Sequence, residues 1–183
     1  MAKDNINSKK GFTIIEVVLV LAIAGLIFLM VFVALPALQR SQRDTARRND
    51  MSRVDTSLIQ YQTNNQDTRN GDLPGDGTNT ITWAAPQDGT FGDSCNEACK
   101  FIQRYMNSGT DTDTNTFKDP DGTYYSVSIG PGAWSENIAD MDYTVYIRTG
   151  AQCSGETAVS APARHFAILY RLEGAGIYCI DDQ

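Results

Sequence analysis

Histidine is almost missing from this chain: His165 is the only one in 183 residues. Zinc is therefore not expected, because the closest cysteines are spaced Cys95-x3-Cys99 and His165 lies far from them. No G-x-S-x-G frame accompanies His165 and Ser160, so a nucleophilic triad is not expected either. Proline and glycine are scarce between Phe12 and Asn64, where Gly25 and Pro36 are the only two. Basic residues are scarce beyond residue 53. Residues 54–183 hold seven basic and eighteen acidic side chains, a net −11 within a chain of net −7. That balance argues against sequence-independent binding to nucleic-acid phosphates. No internal repeat is visible. Cysteine is limited to Cys95, Cys99, Cys153 and Cys179. An even number suits disulfides in an exported domain, with three pairings open.

What is present is concentrated near the start. Residues 17–35 are all apolar or glycine, 19 in a row. That is long enough to cross a hydrocarbon core of about 30 Å as a helix. Glu16 stands at the head of this run, where a charge is costly to insert. An ionisable residue so placed is a functional hypothesis by default. A secretory signal has an apolar region of about 7–15 residues followed by a small-residue cleavage site. Here the run is longer and continues into LPALQRSQRD, without an A-x-A site. Residues 1–11 carry Lys3, Lys9 and Lys10 against Asp4, and residues 40–53 carry five arginines against Asp44 and Asp50. The two flanks are so alike in charge that the positive-inside tendency does not set the orientation.

The stretch KKGFTIIEVVLVLAIAGLIFLMVFVALP resembles the N-terminus of type IV prepilins and pseudopilins, through Gly11, Phe12, Thr13, Ile14, Ile15 and Glu16. The resemblance implies a leader, residues 1–11, removed by prepilin peptidase between Gly11 and Phe12, with Phe12 becoming the methylated N-terminus. It implies that Glu16 serves assembly, the new Phe12 amine being its natural partner in the same chain or a neighbour. A single-pass precursor in the cytoplasmic membrane is implied, leader inside and head outside, handled by the pilus assembly machinery. Its apolar helix meets membrane lipid first and then other copies in an extracellular homopolymer. The implied role is a pilus subunit for surface motility or adhesion, not an enzyme. A type II secretion pseudopilin and a minor or tip pilin acting as adhesin share the same start. A membrane-anchored binding protein would instead keep its leader. Many type IV pilins close a C-terminal segment with a disulfide. That implies Cys153 with Cys179, leaving Cys95 with Cys99.

The expected fold is α+β: a long N-terminal helix packed on a small head with an antiparallel β-sheet. Its parts are the leader 1–11, an apolar helix 12–35, an amphipathic continuation 36–66 and a head 67–183. At about 1.5 Å per residue a helix over 12–65 is roughly 80 Å long. Gly25 and Pro36 are where it would kink or melt. Met51, Val54, Leu58 and Tyr61 recur at helical spacing, so 51–61 should lie on the head while 40–50 cross a polar zone. Arg40, Arg43, Arg47, Arg48 and Arg53 would then meet acidic groups of neighbouring heads, or solvent. Ser94 and Glu97 form a capping box that predicts a helix over 95–107. Strands are expected at 80–84, 124–129, 143–148, 166–172 and 177–180, with E-G-A-G turning the last two into a hairpin. Trp83, Trp134 and the tyrosine-rich strands read as core and sheet-face residues.

No cofactor is expected. Asp111, Asp113, Asn115, Asp119 and Asp121 offer oxygens to calcium, and DPDGTYYSV resembles a loop of type II secretion pseudopilins, some of which bind it. An EF-hand loop needs Gly at its sixth position and Glu at its twelfth, where this chain has Thr116 and Gly122. A solvated, turn-rich loop is the simpler expectation.

Overall fold

The computed structural model describes residues 11–64, 74, 81–84, 91, 95–107, 116–132, 143–174 and 176–182. The chain divides into two compact units, Met1–Gln39 and Arg40–Gln183. Helix α1, Ile14–Asn64, begins in the first and ends in the second. In the first unit the apolar side chains have no cover: Phe12 is 86% exposed, Phe32 77% and Leu35 44%. By length and composition this stretch is able to cross a membrane. Gly25 and Pro36 both lie within the helix, which continues past them. Apolar side chains on every side disfavour unravelling into lipid, where a freed backbone group has no water to bond.

The second unit is a five-stranded sheet with the second half of α1 against it. Its strands are β1 (Ile81–Trp83), β2 (Ser126–Pro131), β3 (Thr144–Thr149), β6 (Phe166–Arg171) and β7 (Ile177–Asp181), in the order β1-β2-β3-β6-β7. Met51, Val54 and Leu58 of α1 are buried in one cluster with Val127, Ile129, Val145, Ile147 and Ile168. The stripe read from the sequence therefore packs on the head. Docking starts earlier than expected, however: Asp44 and Arg47 are already buried. They are buried through ion pairs, which an apolar periodicity cannot show.

The sheet is antiparallel except at its centre, where β2 and β3 run parallel, Val127 beside Val145 and Ile129 beside Ile147. A parallel pair needs a long connection, and residues 132–143 supply it. The β6–β7 hairpin forms at the expected place, with Leu169 opposite Cys179. Gly176 turns it at φ +71°, and a Cβ there would run into the Glu156 carboxylate.

A hairpin that the sequence reading did not contain covers the other face. Strands β4 (Ala151–Ser154) and β5 (Thr157–Ser160) pair antiparallel around Gly155 at φ +64°. With Tyr146, Ala167 and Leu169, Ala151 and Ala158 make a second small cluster. Both faces of β3 and β6 are thus covered, which explains why their side chains are buried in unbroken runs.

The helix expected over 95–107 is shorter and changes pitch. Helix α2 covers Glu97–Phe101, and a π-helical turn covers Ile102–Met106. Its N-cap is Asn96, whose Oδ1 accepts the Cys99 N–H at 3.0 Å, and not Ser94, which lies outside the described residues. Asparagine caps as well as serine does, so the capping-box reading was displaced by two residues.

Candidate functional site

Two sites stand out, one in each unit. In the first, Gly11 and Phe12 precede the helix in non-helical backbone, and Phe12 is exposed. Thr13 starts the helix. Its carbonyl accepts the N–H groups of Glu16 at 3.2 Å and Val17 at 3.3 Å, and its Oγ1 accepts Glu16 N–H at 3.4 Å. Glu16 falls in the first turn, where the partial positive charge of the helix end favours a carboxylate. None of the ion pairs among the described residues involves it. Phe12, Glu16, Val17, Val20 and Leu21 line a shallow depression that is apolar apart from the carboxyl group. The geometry offers an accessible Gly11–Phe12 peptide bond and an acid four residues on, beside an apolar surface.

The second site lies where α1 meets the head. Arg47 donates from Nε to Asp119 Oδ2 at 2.6 Å and from Nη2 to Asp119 Oδ1 at 2.8 Å, a bidentate fork. It also reaches Asp44 Oδ1 at 3.2 Å and Glu173 Oε1 at 3.1 Å. The Asp119 side chain is fully buried and that of Arg47 is 4% exposed. Tyr170 donates its hydroxyl to Asp119 Oδ2 at 3.0 Å. Asp44 accepts the backbone N–H groups of Glu173 and Gly174, at 2.9 and 3.1 Å. Arg43 adds two bonds to Glu173, at 3.0 and 2.7 Å. Hydrogen bonding to Asp119 holds the Arg47 guanidinium well above its usual range, against the cost of burial. Burial lifts the Tyr170 phenol, with the Asp119 charge adding to it.

These contacts correct the expectation for the arginines. Arg43 and Arg47 are committed inside their own head. Arg53 pairs with Asp50 of the same helix at 3.4 Å. Arg40 and Arg48 are exposed, Arg48 lying over the Tyr178 ring at 5.7 Å. The i,i+3 pair Asp44–Arg47 was visible in the sequence. Asp119 and Glu173, 72 and 126 residues from Arg47, were not.

Cys95 is bonded to Cys99 and Cys153 to Cys179, with Cα separations of 5.2 and 5.8 Å. His165 Nδ1 lies 3.2 Å from Asp182 Oδ1, so its neighbour is the Asp182 side chain and not Ser160. Trp83 is buried and stacked on Phe91 at 5.7 Å, while Trp134 lies outside the described residues. Asp111, Asp113 and Asn115 also lie outside them. Asp119 and Asp121 form a local turn, Asp119 Oδ1 accepting the Asp121 N–H at 3.1 Å.

Residues 6–32 match the family model for the prokaryotic N-terminal methylation motif. The chain carries a prepilin-type signal. The match covers the N-terminal site and ends within the apolar helix, so it speaks for a type IV pilin-like, membrane-anchored precursor and does not extend to the head. No curated protein and no solved structure matches the chain.

Proposed function

We propose that this prepilin-type chain is the precursor of a type IV pilus subunit. Prepilin peptidase removes residues 1–11, Phe12 is methylated, and the mature chain polymerises into an extracellular filament used in surface motility or adhesion. The carrying observation is the methylation motif set on a helix whose apolar side chains are bare in the single chain. In lipid those side chains are solvated. Outside the membrane, apolar surface is stabilised by burial at about 25 cal/mol per Å², and other copies of the same helix supply it. Glu16 then finds its counter-charge in the amine of Phe12, of its own chain or of a neighbour. In this reading 12–35 form the filament core, 36–66 carry the helix onto the head, and 67–183 complete the head.

The disulfide between Cys153 and Cys179 near the C-terminus favours a pilin over a secretion pseudopilin. Intact-mass and N-terminal peptide analysis of sheared surface filaments should show a chain beginning at methylated Phe12. A subunit that retains residues 1–11 would overturn the reading. A processed subunit that never leaves the cell envelope would make it a pseudopilin.

A further inference from the structure

Three carboxylates from three parts of the chain converge on one guanidinium. Asp44 comes from α1, Asp119 from the 119–122 turn, and Glu173 from the corner between β6 and β7. Four of their oxygens accept from Arg47, at 2.6 to 3.2 Å. Oxygens gathered in this way from separate loops are the donor type that calcium takes, yet here a side chain provides the positive charge. We propose that Arg47 is the resident cation of this cluster: it holds the place a divalent ion would otherwise fill, so that order in the 119–122 turn and the 173–174 corner depends on docking of α1 and not on calcium. The inference does not rest on the filament reading.

The bonding around the cluster supports the assignment. Asp119 spends its oxygens on the Arg47 fork, the Tyr170 hydroxyl and the Asp121 N–H. Asp44 spends its own on Arg47 and two backbone N–H groups. Without a cation, Asp119 would be a fully buried unpaired charge, which is strongly destabilising. A cleft of about 280 Å³ lined by Arg47, Tyr143, Tyr170, Arg171, Leu172 and Glu173 opens beside the guanidinium. Small ions therefore have a route to the cluster once the side chain is shortened.

The test uses the full chain in detergent micelles, with thermal unfolding followed by near-ultraviolet circular dichroism. The wild-type midpoint should be the same in millimolar calcium chloride and in EDTA. Arg47→Ala should lower it by about 10 °C, the scale expected for breaking a buried charge pair in a chain of this size. Its midpoint should then rise with calcium chloride or with millimolar guanidinium, far below denaturing concentrations. A wild-type midpoint that rises with calcium and falls with EDTA would overturn the proposal. So would an Arg47→Ala chain that is unaltered, or destabilised but indifferent to both ions. Should Arg47→Ala not fold, Arg47→Lys decides. A lysine chain that still folds, with a measurable unfolding midpoint, supports a cation role, and failure of the lysine chain as well refutes it.

Discussion

Asp55 shows at a single residue how the head holds charge without a partner. It sits half-buried on α1, and its Oδ1 is closed off from water with no hydrogen-bond partner among the described residues. Burial pushes its carboxyl above the usual range, and the neighbouring charges of Asp182 and Asp181 push the same way. A folded-state value above the unfolded one means the folded head binds the extra proton. Stability therefore falls as the pH rises from the ordinary carboxyl value of 3.8 through the raised folded-state value. Asp55→Asn should stabilise the chain at pH 7, because the amide removes the charge that burial and the nearby Asp182 and Asp181 disfavour. The gain should shrink as the pH falls toward 3.8. Thermal midpoints of both chains across pH 4 to 8 check this, and a gain that does not depend on pH would contradict it. Glu173 acts in the opposite sense. Its bonds to Arg43, then Arg47, hold its carboxyl below the usual range. Its contribution is present above the ordinary value of 4.5 and is lost as the pH falls below it. Neither environment was legible in the sequence, because Asp181 and Asp182 stand more than a hundred positions from Asp55 and Glu173 meets Arg43 across 130.

At the scale of elements, the β4–β5 hairpin should depend on a covalent tie more than on its core. It offers the sheet little beyond Ala151 and Ala158, while Cys153 on β4 is bonded to Cys179 on β7. The two disulfides close spans of very different length, 26 and 4 residues. Loop entropy puts the longer at about 3–4 kcal/mol and the shorter at about 2 kcal/mol. Replacing Cys153 and Cys179 together by serine should therefore lower the thermal midpoint more than replacing Cys95 and Cys99, and should expose residues 151–160 to proteases. Equal losses, or cleavage elsewhere first, would show that the hairpin is held by packing. The same hairpin marks the limit of reading the sequence. Its strands are four residues each and half polar, so the short alternation Ala151–Ser154 does not stand out from a loop. The elements that were legible carry long or repeated signals: the unbroken apolar run, the Met51–Val54–Leu58 stripe and the Gly-containing turn between β6 and β7. The parallel pairing of β2 with β3 was not legible, since strand direction is set by the connection and not by the residues that pair.

For the whole molecule, internal ion pairs reduce the positive charge left to meet other subunits. The basic segment 40–53 looked like five arginines available to neighbouring subunits. With Arg43 and Arg47 bonded to carboxylates of the head and the exposed Arg53 paired to Asp50, Arg40 and Arg48 are the exposed arginines of that segment outside the ion pairs of the described residues. Reversing Arg47 would break the head itself, so it does not report on assembly. Reversing Arg40 and Arg48 does. Exposed substitutions away from buried networks shift stability by about 0.5 kcal/mol or less, so Arg40→Glu with Arg48→Glu should leave the unfolding midpoint of the full chain in detergent near wild type. Residues 54–183 remain strongly acidic, and in a filament many copies of this surface recur. Each exposed pair contributes about 0–1 kcal/mol, a small term that repetition makes decisive for register. Salt at 0.1 M already screens exposed charges beyond about 10 Å. Wild-type filaments should thus be recovered in lower yield as salt is raised during shearing, and the doubly reversed chain should give low yields at every salt concentration. If its filaments form normally and tolerate salt as the wild type does, Arg40 and Arg48 are a solvated face and the packing of apolar helices alone sets the register.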